Sequence, residues 1–120
     1  MTIERFDSGP RMSQAVVHGD TVHLAGQVAR GDTVAEQTRA VLGQIDALLA
    51  RAGTDRSRLL SATIWLCSMD DFAEMNAEWD AWVDADNPPV RACVESARLA
   101  TPDYRVEIMA IAATSPAAGA

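Results

Sequence analysis

Lysine is absent from these 120 residues, and all ten basic side chains are arginine. No side-chain Schiff base can form, no lysine can cradle a phosphate, and no lysine can act as a general base. Positive charge is scarce too: ten arginines face seventeen acidic residues, a net charge of −7 with both histidines neutral. Nucleic-acid-binding surfaces and polybasic lipid anchors gather basic side chains against phosphate, so this balance argues against both. Cysteine is limited to Cys67 and Cys93, which make no disulfide framework and read as reduced thiols. His18 and His23 have no cysteine or carboxylate at zinc-site spacing, so no metal is expected. The opening Met1-Thr2-Ile3-Glu4-Arg5 lacks the apolar stretch of a signal peptide. No apolar run approaches the ~18 residues of a membrane span. A cytoplasmic location is expected.

Hydrophobic residues make up 48 % of the chain, but many are alanines, so the core is thin. A domain of this size buries only about two-thirds of its unfolded surface, and burial against a second copy adds to that. The patterning fits a single domain over residues 1–113, followed by a small, unpatterned and disordered tail over 114–120.

Ile3–Phe6 is a short strand candidate. Gln14–His18 and Thr21–Ala25 read as a hairpin around Gly19-Asp20, a two-residue turn that pairs His18 with Thr21. One hairpin face then carries Ala15, Val17, Val22 and Leu24; the other carries Met12, Gln14, Val16, His23 and Ala25. Apolar residues at three- and four-residue steps predict a helix over 34–52, opened by the capping box Thr33-x-x-Glu36 and stopped by Gly53. Leu59–Cys67 alternates as a strand. A second helix is expected over 70–83, with Asp71-x-x-Glu74 resembling a capping box and Phe72, Met75, Trp79, Trp82 and Val83 on one stripe. Strands over 90–99 and 104–112 complete the order β-β-β-α-β-α-β-β. This is an α+β layer, a mixed sheet with two helices on one face.

Two helices leave the other sheet face uncovered. Arg91, Cys93 and Glu95 alternate with Val90, Ala92 and Val94, and Glu107, Met109 and Ile111 alternate with Val106, Ile108 and Ala110. If the register permits, Arg91, Cys93, Glu107 and Met109 share the open face, with Trp65 and Cys67. Such a half-apolar face suggests contact between subunits. A half-buried arginine needs an anion, supplied by Glu107, by Glu95 or by a ligand. Its planar fork matches a carboxylate with two parallel hydrogen bonds, and a nearby carboxylate can orient or deprotonate water. An interface salt bridge is the plainer alternative.

At these residues the sequence resembles the RidA family, also called the YjgF family of small trimeric imine deaminases. The resemblance runs from about residue 9 to residue 113. It is carried by Ser13-Gln14-Ala15-Val16 with Gly19-Asp20, by Ala25-Gly26-Gln27-Val28, by Glu36-Gln37-Thr38-Arg39, and by Asp71-Phe72-x-x-x-Asn76. The most specific stretch is Pro89-Val90-Arg91-Ala92-Cys93-Val94-Glu95-Ser96-Ala97-Arg98-Leu99, followed by Val106-Glu107-Ile108-x-Ala110-Ile111-Ala112. The resemblance implies a chorismate-mutase-like α+β fold and a homotrimer with sites between subunits. It implies hydrolysis of enamine and imine intermediates, 2-aminoacrylate and related 2-imino acids, to 2-keto acids and ammonia, with no cofactor. By position, Arg91 matches the family's carboxylate-binding arginine, Glu107 its water-positioning glutamate, and Cys93 the cysteine whose backbone lines the pocket. Gly26 matches a pocket glycine. Two positions depart from the pattern: Met12 stands where many members carry an aromatic residue, and Ala25 where the family carries a serine. Neither can donate the hydrogen bond of a hydroxyl, so the pocket mouth is altered.

The competing reading is a trimeric module that binds a small carboxylate, such as a 2-keto acid, without turnover. A ribonuclease or translation-inhibitor role, attached to some relatives, conflicts with the charge of −7 and the missing lysines. Cys67 reads as a small buried hydrophobe. Cys93 is more open, because the charge of Arg91 can lower its thiol pKa. The Trp79/Trp82 stripe reads as helical core, and Asp80, Asp84 and Asp86 as a solvated acidic face.

Overall fold

Chain reversal at Gly19-Asp20 sets the first register. Gly19 has φ +62°, a conformation without Cβ penalty only for glycine. The turn aligns β2 (Ala15–His18) with β3 (Thr21–Leu24), with His18 opposite Thr21 and Ala15 opposite Leu24. This is the expected hairpin. β1 (Ile3–Phe6) adds antiparallel to β2. The computed structural model describes residues 1–115, so most of the expected tail, from 116 on, lies outside the described residues.

Helix α1 (Val34–Arg51) buries Val34, Thr38, Val41, Leu42, Ile45, Leu48 and Leu49 along one stripe, as the three- and four-residue steps require. The Thr33 hydroxyl accepts the Glu36 N–H at 3.1 Å, a cap worth about 1 kcal/mol. The Glu36 carboxylate reaches back to the N–H of Asp32, one residue earlier than a capping box predicts. A 3-10 turn (Arg56–Arg58) leads into β4 (Leu59–Leu66). Helix α2 (Phe72–Trp82) follows a second 3-10 turn (Met69–Asp71), and β5 (Val90–Glu95) and β6 (Val106–Ala113) close the chain.

One six-stranded mixed sheet results, in the order β1-β2-β3-β6-β4-β5. β4 and β5 are parallel, joined through α2; the other pairs are antiparallel. Both helices lie on one face, over Ala15, Val22, Leu24, Ala62, Ile64, Leu66, Val106, Ile108, Ala110 and Ala112, all buried. Each large apolar side chain in that layer is worth about 1.5–3 kcal/mol in burial. The other face holds alternate residues, among them Trp65, Met109 and Ile111, half-buried, and Val90 and Val94, 73 % and 46 % exposed.

Three local expectations are corrected. Asp71 makes no cap bond: Arg105 claims its carboxylate through two bonds, of 2.7 and 3.2 Å, and Ser68 caps the preceding turn instead. The fifth strand ends at Glu95: the Ser96 N–H makes a last bond to the Leu66 carbonyl at 2.8 Å, and beyond it the Ser96 hydroxyl donates to the Arg98 carbonyl in a local turn. The fourth strand stops at Leu66, leaving Cys67 as a thiol donor to the Tyr104 carbonyl at 3.3 Å.

Candidate functional site

Arg91 sits on β5, the edge strand of the sheet, in register with Ala62 of β4. Ala62 belongs to the buried layer, so the Arg91 side chain rises on the helix face. There it meets α2. Its Nη1 donates to Asn76 Oδ1 at 2.8 Å, and its guanidinium carbon lies 5.3 Å from the Trp79 ring centroid. Asn76 and Trp79 are one helical turn apart and present together. Among the described residues no ion pair joins Arg91 to a carboxylate. Glu95, one anion considered for it, instead accepts the Met69 N–H at 2.9 Å. The guanidinium is therefore oriented by two uncharged groups, and no carboxylate among the described residues balances its charge.

Glu107 is placed differently. It pairs with Trp65 across β4 and β6, and so projects from the open face. The half-buried carboxylate lies beside Gly26. A Cβ built at position 26 would stand 2.9 Å from Glu107 Cδ and closer still to Oε2, so any larger residue there displaces the carboxylate. The segment holding Gly26 is fixed against β6. Gln27 N–H donates to the Ile108 carbonyl at 2.8 Å, and Ile108 N–H donates back at 3.1 Å. The buried Gln27 amide bonds Gln14 Oε1 at 2.9 Å and the Ala25 carbonyl at 3.0 Å. Gln14 and Gln27 thus brace the glycine. Residue type alone gives no signal for this pairing, which depends on strand register.

The expectation that Arg91, Cys93, Glu107 and Met109 share one face is overturned. β4 pairs with both neighbours, placing Arg91 and Cys93 beside Ala62 and Ile64, and Glu107 and Met109 beside Trp65 and Thr63. Arg91 and Glu107 are on opposite sides of the sheet. One chain cannot close both around one small molecule.

Cys93 packs against the core from the helix face. Burial pushes its thiol up from the ordinary value, and the smaller pull of the Arg91 charge does not reverse this. It is a neutral thiol rather than an activated nucleophile. Met12 stands 50 % exposed in the β1–β2 connection, its carbonyl taking the Gly9 N–H at 2.8 Å. Ala25 is half-buried and donates its N–H to the Gln14 carbonyl at 2.9 Å. The structure thus groups Gly26 with Glu107, and Arg91 with Cys93, as two separate halves. A groove of about 310 Å³ between α1 and α2 involves neither half. Among the described residues no cluster of three or more His, Cys, Asp or Glu side chains is arranged to hold a metal, and no helix is long and apolar enough to cross a membrane.

Comparison with known proteins adds to this geometry. The sequence model of the family described as Endoribonuclease L-PSP matches residues 2–114. A RutC family protein of Haemophilus influenzae is 45 % identical over 115 residues, covering 93 % of this chain and 98 % of that one. The RutC family protein YoaB of Escherichia coli is 46 % identical over 114 residues, covering 94 % and 99 %. A crystal structure of a YjgF family member from Neisseria meningitidis superposes with a TM-score of 0.94 at 49 % identity, covering 98 % of each chain.

Proposed function

The chain belongs to the RidA/YjgF family, and on that footing we propose that it hydrolyses reactive enamine and imine intermediates, 2-aminoacrylate and related 2-imino acids, to 2-keto acids and ammonia. The observation that carries this reading is the state of Arg91: held by Asn76 and Trp79, paired with no carboxylate among the described residues, and so available to an anion. Two parallel N–H bonds from its fork fix the substrate carboxylate.

In this reading the water comes from the other half of the site. Glu107, lodged against Gly26 on the open face of a second copy, holds a water at the face of the imine carbon. The water oxygen bonds to that carbon while one of its protons passes by way of the Glu107 carboxylate to the imine nitrogen. The carbinolamine hydroxyl then passes its proton by way of the same carboxylate to the nitrogen, the C–N bond breaks, ammonia leaves and a C=O bond remains. Positioning supplies much of the rate, since imines already hydrolyse in water. The opposite-face placement of Arg91 and Glu107 supports a site shared between copies, and the exposed Val90 and Val94 give the open face a reason to associate. The assembly proposed is a homotrimer, working in the cytoplasm without a cofactor.

A second reading keeps the fold and drops the turnover: a trimer that binds a 2-keto acid. Met12 and Ala25, which bring no hydroxyl to the pocket mouth, favour it; Glu107 seated against Gly26 opposes it. RNA cleavage, which the family description names, fits poorly with a charge of −7 and no lysine.

A coupled assay that generates 2-aminoacrylate decides. The purified protein speeds pyruvate release, while Arg91→Ala and Glu107→Ala do not. Equal rates for all three, with pyruvate still raising the Tm of the wild type, establish binding without turnover.

A further inference from the structure

An arginine on an edge strand has several rotatable bonds, and gripping a carboxylate freezes them at an entropic cost. Helix α2 removes that freedom beforehand. Asn76 Oδ1 holds Nη1 at 2.8 Å, and the guanidinium carbon lies over the Trp79 ring, 5.3 Å from its centroid. Trp79 is itself fixed. It is only 6 % exposed, and its ring lies 5.4 Å from that of Trp82, tilted by 53°. Trp82 Nε1 donates to Asp46 of α1 at 2.9 Å; Asp46 also accepts from Arg56, whose guanidinium sits 5.1 Å from the Trp82 ring. The chain of contacts runs from α1 through two indoles to Arg91. Both groups touching Arg91 are uncharged, so they orient it without cancelling its charge. An aspartate at position 76 would orient it and neutralise it.

We propose that Trp79, with Asn76, forms a charge-neutral clamp that presets the Arg91 fork for a single carboxylate. It sets affinity for carboxylate-bearing substrates rather than the rate of the hydrolytic step. The inference rests on the deaminase reading above. Trp79 and Asn76 are positioning residues that act through Arg91.

The test uses the full chain and two readouts: KM and kcat for 2-aminoacrylate, and the calorimetric Kd for pyruvate. Trp79→Phe keeps apolar bulk with a weaker ring face, and Trp79→Leu removes the ring. KM and Kd rise in the order wild type, Trp79→Phe, Trp79→Leu, to about tenfold, with kcat held within about threefold. Asn76→Asp keeps the shape and adds a carboxylate; it raises KM and Kd by about tenfold or more without lowering Tm. A merely structural role leaves KM and Kd untouched in that variant. Should Trp79→Leu fail to fold, Trp79→Phe and Asn76→Asp carry the comparison. Unchanged KM and Kd in both overturn the clamp. A wild type that neither deaminates nor binds pyruvate overturns the reading of the site itself, and the clamp with it.

Discussion

Arg91 and Glu107 project from opposite faces of one sheet, with a single strand, β4, between the strands that carry them. They are also offset within it, by two strand spacings of about 4.8 Å across the sheet and by the three residues from Ala62 to Trp65 along β4, so they cannot flank one small molecule. A site that uses both draws them from different copies of the chain.

Complementation follows from that placement. Arg91→Ala and Glu107→Ala chains are each inactive alone. Refolded together in equal amounts, they form some sites with an intact Arg91 from one chain and an intact Glu107 from another. Random assembly leaves about one site in four intact. Recovery of about a quarter of wild-type activity, read by keto-acid release, is the expected outcome. No recovery contradicts the shared site.

Gly26→Ala tests the seat of Glu107. The backbone at Gly26 is outside the positive-φ region, so alanine fits the chain conformation there. Its Cβ does not fit beside the Glu107 carboxylate, which must move. A shift of about 1 Å in a positioned group costs on the order of 100-fold in rate. We expect kcat/KM to fall by about that factor with an unchanged circular dichroism spectrum.

The open face makes its own prediction. Val90 and Val94 are large apolar side chains standing in solvent on an edge strand. Replacing both with aspartate puts like charges into the proposed contact between copies. Sedimentation velocity then shows smaller species than the wild type, and activity falls with assembly. A wild type that sediments as a monomer contradicts the proposed trimer outright.

Cys93 provides a pH readout. Burial favours the neutral thiol and raises the pKa, so less thiolate is present at any pH near 7 than for a free cysteine. Alkylation by iodoacetamide at pH 7.5 is slower than for a cysteine in a short peptide. Its rate climbs at higher pH than that of the peptide thiol. Fast alkylation at neutral pH would show that the Arg91 charge dominates.

Much of the fold is legible in local chemistry. The Gly19-Asp20 turn, the Thr33 cap and the apolar steps of α1 all act within a few residues, and the structure keeps each. Alternation likewise identifies the two faces of β5 and of β6. What alternation leaves open is which face of one strand adjoins which face of another. That phase is set by β4, which pairs Ala62 with Arg91 on one flank and with Ala110 on the other. The assignment of Arg91 and Glu107 to one face fails for this reason. Longer-range partners account for the other departures. Arg105, 34 residues away, takes the Asp71 carboxylate from its cap, and Trp79 meets Arg91 only once α2 has crossed back over the sheet.

Gln37 is wholly buried near the start of α1, and its one amide is shared between two connections. Its Nε2 donates to the carbonyls of Gly31 and Asp103, at 3.1 and 2.8 Å, and its Oε1 accepts the Arg105 N–H at 2.8 Å. Neither loop can peel away without stranding polar atoms that serve the other. The crossing into α1 and the crossing into β6 are thereby tied through one side chain, and loosening either is expected to unprotect the Arg105 amide that Gln37 holds.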